Sequence, residues 1–344
     1  MSSPTDPTRS ASDAPATPLL DVRALSVSFQ TRAGTAHVLE DIHLQLRRGE
    51  TLGLVGESSC GKSITALALM RLIPQPPGRI TAGEVVFDGQ DLLQLPEAQM
   101  RQVRGNRISM IFQEPMTSLN PAYTVGEQIM ESVRLHQGLD ARAALARAIE
   151  MLKAVGIPDA PRRVHQYPHQ FSGGMRQRVM IAMALACQPD VLIADEPTTA
   201  LDVTVQAQIF DLIRELRERT GTAVLLITHD MGAVAEMTDR VAVMYAGRMV
   251  EEGPTELILS RPCHPYTQGL IACAPGHGAA SHGQPLQEIP GTVPSLLERH
   301  GGCTFADRCS RVQTRCRTSL PASTWVQPGH RVLCWLYPEG AVHA

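Results

Sequence analysis

Gly56-Glu57-Ser58-Ser59-Cys60-Gly61-Lys62-Ser63 fits G-x-x-x-x-G-K-[ST], the loop in which backbone N–H groups cradle nucleotide phosphates. Before it, Thr51-Leu52-Gly53-Leu54-Val55 reads as a buried strand; after it, Lys62 to Leu72 is apolar and free of helix breakers. Strand, loop and helix in this order are the setting the pattern requires. The helix start supplies unpaired N–H donors and the positive end of its dipole. Lys62 can reach the β- and γ-phosphates, and the Ser63 hydroxyl can ligate Mg²⁺. All eight residues are therefore expected phosphate-site residues, and the chain reads first as an ATPase. The plainer reading, a glycine turn beside a surface lysine, leaves the flanking strand and helix as coincidence.

With 344 residues and 43% hydrophobic content, the chain can bury one large core and a smaller appendage. A formal charge of −3 with no lysine/arginine block offers no support for a nucleic-acid partner. Apolar runs such as Val179 to Cys187 and Val191 to Ala194 are too short and too broken to span a bilayer. Residues 1–18 are rich in Pro, Ser, Thr and Ala, lack the basic and hydrophobic parts of an export signal, and read as a disordered tail. Eight cysteines without such a signal argue against a disulfide framework and point to metal or cluster ligation where they bunch.

Leu19 to Phe29 and Val38 to Leu46 read as strands leading to the phosphate loop, and Gly83 to Gly89 as a strand ending in an Asp-Gly turn. Ile108 to Phe112 is another strand, ending at Gln113. From Val125 to about Val155 the residues favour helix, stopped by Gly156-Ile157-Pro158, and form an α-helical insertion. A helix from Gly174 to Ala186, a buried strand Val191 to Ala194, a helix Val203 to Arg219 and a strand Ala223 to Ile227 follow, the last closing the parallel set. Strands alternating with helices imply an α/β fold around a parallel sheet. Beyond Gly253-Pro254 the chain becomes rich in Pro, Gly and His; Gly276 to Pro285 reads as a linker and the rest as a small irregular module.

Val191 to Glu196 is an apolar strand ending in two carboxylates, which suits an Asp195 directed at Mg²⁺ and a Glu196 that polarises water. Taken alone it could equally be a strand capped by exposed acids. His229 follows the strand at 223–227, at the sheet edge where an imidazole could reach a γ-phosphate oxygen. Ser172, Gly173 and Gly174 open a helix with a serine and two glycines, a second anion-binding helix start.

This duplication resembles the ATP-binding cassette (ABC) family, through GESSCGKS at 56–63, Gln113 in IFQEP, FSGGMRQ at 171–177, LIADEP at 192–197, Ala200-Leu201-Asp202 and His229. The resemblance covers residues 19–255. It implies a P-loop NTPase core with an antiparallel β subdomain and an α-helical subdomain at about 114–184, followed by the C-terminal module at 256–344. It also implies a head-to-tail dimer in which one chain's signature helix covers ATP on the other's phosphate loop. In that scheme Lys62 and Ser63 bind phosphate and Mg²⁺, Gln113 senses Mg²⁺, Glu196 is the general base and His229 the γ-phosphate switch. Ser172, Gly173 and Gly174 contact the partner's ATP, Asp202 sits at the dimer seam, and Phe29 stacks on adenine, although a strand phenylalanine is also ordinary core. Ser59 departs from the family's usual glycine; if φ is positive there, weaker ATP affinity is expected.

The segments from Phe112 to Pro121, Tyr167 to Arg178 and Cys263 to Thr267 resemble, more closely, the dipeptide/oligopeptide importer branch. That likeness implies a second ATPase subunit, read as a paralogue, two integral-membrane permeases, and an extracytoplasmic solute-binding protein. The surface around 114–125 would receive a permease, and the chain would be peripheral to the cytoplasmic face of the inner membrane. Nickel, glutathione or another small solute is the alternative cargo; a soluble cassette ATPase acting on nucleic acid or ribosomes is the alternative of another class. Cys303, Cys309, Cys316 and Cys334 form C-x5-C-x6-C-x17-C, a spacing that favours a closed metal or cluster site and is looser than the usual zinc hook. The resemblance places a [4Fe–4S] cluster first there, with Zn²⁺ and plain thiols as alternatives.

Overall fold

The computed structural model describes residues 17–113, 118–198, 203–274, 288–297 and 301–337. The readings at 1–16, Ala200-Leu201-Asp202 and 276–285 lie outside these residues, as do Glu114 to Thr117.

Strands β1 (Leu20–Thr31) and β2 (Gly34–Leu46) form a hairpin, and β3 (Thr51–Val55) runs into the phosphate loop and helix α1 (Lys62–Leu69). The helix is shorter than expected, because Arg71 takes a left-handed φ of 50° and turns the chain. Strands β4 (Gly78–Phe87) and β5 (Gln90–Asp91) meet through Asp88-Gly89, both at positive φ, which is the turn an Asp-Gly pair favours. These four outer strands make an antiparallel sheet in the order β2-β1-β4-β5.

Strand β6 (Ile108–Ile111) leads to the helical region. There the expected single stretch is two helices, α2 (Val125–Gln137) and α3 (Ala141–Ala154). Thr124 and Glu127 form a capping box at the start of α2, Gly138 ends it in the left-handed conformation, and Asp140 caps α3. Helix α4 (Gly173–Leu185), strand β7 (Val191–Asp195), helix α5 (Val203–Thr220) and strand β8 (Ala223–Thr228) follow as read, within two residues at each end, and helix α6 (Met231–Met237) comes after them unread.

The central sheet departs from the reading at its far side. Strand β9 (Arg240–Tyr245) pairs in parallel with β3, so β8 does not close the parallel set; it lies between β3 and β7. Strand β10 (Arg248–Pro254) continues the sheet antiparallel. After helix α7 (Pro265–Ala272), β11 (Ser323–Gln327) and β12 (His330–Leu333) extend the same sheet, giving β11-β12-β10-β9-β3-β8-β7-β6. The C-terminal segment is thus partly regular and shares hydrogen bonds with the core.

Every residue of β7 and β8 is buried. Alternate residues serve opposite faces: Val191, Ile193, Leu225 and Ile227 pack with the antiparallel sheet, whereas Leu192, Ala194, Val224 and Leu226 pack with the helical layer. Burial on both faces explains why these strands read as continuous apolar runs.

Candidate nucleotide-binding and hydrolysis site

Hydrophobic pairing sets β3, β8, β7 and β6 side by side, so the polar residues beyond their carboxyl ends share one edge. At β3 the phosphate loop folds as its glycines require. Gly56 has φ 155° and approaches Met244 so closely that an added Cβ would lie 2.2 Å from its carbonyl oxygen. Gly61, at φ 113°, precedes α1. Lys62 is 6% exposed, and its Nζ donates to the carbonyls of Gly56 at 2.8 Å and Glu57 at 3.0 Å. A bound triphosphate would offer the ammonium stronger acceptors. Ser58, Ser59, Gly61, Lys62 and Ser63 line an open cleft of about 410 Å³, with Gln113 and Glu196 on its far wall. Cys60 points inward; burial raises its thiol pKa.

Asp195 ends β7 with 4% exposure, and its Oδ1 has no hydrogen-bond partner. Burial raises its pKa, while a hydrogen bond from Ser63 acts the other way. A buried, partly unpaired carboxylate beside a serine hydroxyl fits the donor set of a hard divalent cation, so these residues suit Mg²⁺. Glu196 follows in a left-handed turn, φ 47°, with its N–H held by the Ile227 carbonyl at 2.9 Å. The turn carries its carboxylate across to the neighbouring strand ends. There Gln113 Nε2 donates to Oε2 at 3.0 Å, and His229 Nδ1 lies 3.1 Å from Oε1. Gln113, Glu196 and His229, read separately along the chain, form one hydrogen-bonded group.

Ser172 caps α4, its hydroxyl accepting from the Met175 N–H at 3.4 Å. Ser172, Gly173 and Gly174 do not line the cleft over this chain's own phosphate loop. Gln177, one turn along α4, is 1% exposed and donates to the Pro197 carbonyl, tying the signature helix to the turn after Glu196.

The family description "ABC transporter" matches residues 39–199, and "Oligopeptide/dipeptide transporter, C-terminal region" matches 250–316. A probable peptide ABC transporter ATP-binding protein of Sinorhizobium fredii is 53% identical over 317 residues, 92% of this chain and 94% of its own length. This chain belongs to the ABC transporter family. The dipeptide transport ATP-binding protein DppD of Bacillus subtilis is 48% identical to this ABC subunit, covering 95% of it and 97% of DppD. Among solved structures, the ATP-binding cassette MJ0796, in a dimeric post-hydrolysis state bound to ADP and Pi, is similar with a TM-score of 0.62. Its identity is 27%, over 69% of this chain and 98% of that one.

Two features of the ABC subunit's site were not readable from local sequence. The Glu57 N–H donates to the Tyr266 hydroxyl of α7 at 2.8 Å, and the Glu57 carboxylate is gripped by Arg308 at 2.7 and 2.9 Å. Both partners lie more than 200 residues downstream, as the separations of 209 and 251 record. Phe29 is half-buried against the outer-sheet core, where its ring would lie 2.8 Å from a Cβ added to Gly78; it does not line the cleft.

The iron–sulfur expectation is corrected. The tail matches the C-terminal region of oligopeptide/dipeptide transporters, and neither that match nor relatives named as peptide and dipeptide transport ATP-binding proteins support a [4Fe–4S] cluster. Cys303, Cys309, Cys316 and Cys334 line one cavity together with Phe305, Trp335 and Leu336. Burial raises the thiol pKa values of Cys303 and Cys309, and that of Cys334 to about 11, and all three side chains pack with neighbouring apolar groups. Zinc is not supported either: among the described residues, the grouping of three ligand-type atoms within 4.8 Å of one another is Glu251, Cys263 and His330, not the four cysteines. The Glu251 carboxylate there already accepts from the Cys263 N–H, the His264 N–H and His330 Nε2, at 2.6, 2.9 and 2.8 Å.

Proposed function

We propose that this chain is the ATP-hydrolysing subunit of a membrane importer that takes up peptides. The observation that carries the hydrolytic part is Gln113 and Glu196 sharing one cleft with the phosphate loop, with His229 hydrogen-bonded to Glu196 behind them. Support for the peptide cargo comes from the match of residues 250–316 to the oligopeptide/dipeptide transporter region and from relatives named as peptide and dipeptide transport ATP-binding proteins.

ATP would bind with its phosphates in the loop Gly56 to Ser63, Lys62 exchanging its two carbonyl acceptors for phosphate oxygens. Ser63 and Asp195 would hold Mg²⁺, which neutralises charge on the β- and γ-phosphates. Glu196, oriented from one side by Gln113 and from the other by His229, would accept the proton of the attacking water. His229, 63% exposed at its side chain, is free to turn towards a γ-phosphate oxygen. Ser172, Gly173 and Gly174 lie off this cleft, which supports their acting on ATP held by a second ATPase subunit, a paralogue or a second copy. Asp202 is assigned to the seam of that pair by the family resemblance. Two permeases and an external solute-binding protein would complete the importer. No helix among the described residues is long and apolar enough to cross a membrane, which supports a peripheral subunit docked on those permeases.

Glu196→Gln tests the assignment. Turnover should fall by at least about a hundredfold, the usual contribution of a positioned base, with ATP binding retained; wild-type turnover would overturn it. Detergent co-purification with integral permeases checks the assembly.

A further inference from the structure

Arg308 lies in a short turn, Ala306–Arg308, immediately before Cys309, and nothing in its local sequence marks it. Yet its side chain is only 5% exposed, and all five of its N–H donors are placed. Nε donates to the Pro290 carbonyl at 2.9 Å, Nη1 to the Tyr245 hydroxyl at 3.3 Å, and Nη2 to the Ile289 carbonyl at 3.1 Å. The remaining directions grip Glu57, Nη1 to Oε2 at 2.7 Å and Nη2 to Oε1 at 2.9 Å. This is the bidentate fork that guanidinium and carboxylate form in their strongest pairs.

The recipient of the grip is unusual. Glu57 is the second residue of the phosphate loop, so its carboxylate belongs to the segment that receives the most anionic part of the nucleotide. Its carbonyl accepts from Lys62 at 3.0 Å and its N–H is held by Tyr266 at 2.8 Å. An uncompensated carboxylate here would repel a triphosphate through the partly desolvated loop, and it could draw the Lys62 ammonium away from phosphate. Arg308 removes both effects. It cancels the charge and holds the carboxylate on a guanidinium that itself lies over the rings of Tyr245 and Phe305.

We propose that Arg308 is a positioning residue of this chain's own ATP site: it neutralises and orients Glu57, so that nucleotide affinity depends on the docked C-terminal segment. The inference rests on the reading of residues 56–63 as the ATP site and adds to it a component from beyond the cassette. Any rearrangement that lifts the Ala306–Arg308 turn off the core would weaken ATP binding without touching Glu196.

Full-length chains carrying Arg308→Ala, Arg308→Lys, or Arg308→Ala together with Glu57→Gln provide the test, with ATP affinity and the KM and kcat of hydrolysis measured for each. Arg308→Ala should weaken ATP binding on the order of tenfold, with kcat at saturating ATP falling much less. Arg308→Lys, a point charge without the fork, should recover part of the loss. Adding Glu57→Gln to Arg308→Ala should recover most of it, because the repelling charge is then gone. A purely structural Arg308 would lower the folded fraction and leave the affinity of what remains unchanged; that result overturns the proposal, as does a loss that Glu57→Gln fails to repair. Failure of the wild-type chain to bind ATP would overturn the site reading itself.

Discussion

Two backbone positions at the site hold side-chain-bearing residues in left-handed conformations: Ser59 at φ 65° and Glu196 at φ 47°. Such geometry costs on the order of 1 kcal/mol at each and persists where the surroundings over-determine it. For Ser59 the strain lies in the loop backbone itself, so it weighs on folding more than on binding. Ser59→Gly should therefore raise stability by less than about 1 kcal/mol, since glycine's extra freedom in the unfolded chain offsets part of the relief, and should leave ATP affinity within about twofold. Thermal denaturation and a nucleotide titration check both halves; an affinity gain beyond that would restore the simpler expectation of a weakened loop. Asp195 carries a different cost, a buried carboxylate oxygen without a partner. Asp195→Asn should leave the unliganded fold as stable or up to about 1 kcal/mol more stable, while Mg²⁺-dependent turnover falls at least about a hundredfold, the stability–activity opposition seen at strained sites. Denaturation in parallel with ATPase assays separates the two effects.

Among the elements, β12 shows how the C-terminal segment is held. His330 is 1% exposed and paired with Glu251 on β10 at 2.8 Å. Burial alone would lower its pKa, but hydrogen bonds and charge interactions with Cys263 and Glu251 prevail and raise it to about 9. Neighbouring His264 is fully buried, and its desolvation outweighs Glu251 and lowers it to about 4. The signs follow from which state binds the proton more tightly. His330 is protonated more readily when folded, so its contribution is complete below about 6.5 and fades as pH rises through about 9. His264 is protonated more readily when unfolded, so stability is lost as pH falls from about 6.5 towards 4. The segment should be most stable near neutrality. His330→Gln should flatten the alkaline limb of a melting-temperature profile and leave the acid limb in place. The helical region carries a simpler lesson: residues 125–155 favour helix throughout, and the break at Gly138 comes from cap chemistry that composition does not reveal.

At the scale of the molecule, the eight-stranded sheet joins the cassette and its C-terminal segment into one hydrogen-bonded unit, reinforced by Arg240 and Arg331 converging on Glu252 of β10. The signature helix start remains exposed and away from the cleft of its own chain. Ser172→Arg should therefore leave ATP binding to this chain's loop within about twofold and lower ATPase activity of the reconstituted transporter at least about tenfold. Binding and turnover measured on one preparation distinguish this from a local defect, because a Ser172 that served its own chain would lose both together.

The phosphate loop, the two carboxylates, Gln113 and His229 were legible because each obeys a local rule: a glycine pattern between strand and helix, or polar residues where an apolar strand runs out. The alternating layers were legible for the same reason, since burial on both faces writes apolar runs into the chain. What no local rule contains is the lateral order of the strands. That order brings Gln113, Glu196 and His229 within hydrogen-bond reach, inserts β9 beside β3, and adds β11 and β12 to the sheet edge. Nor could spacing show what surrounds the four cysteines, which line one cavity with Phe305, Trp335 and Leu336. The grip of Arg308 on Glu57 spans 251 residues and exists only because the C-terminal segment folds back onto the loop. Sequence alone determined the chemistry available at the nucleotide site; tertiary packing decided which groups share it, because contact between distant segments is set by how buried surfaces fit together.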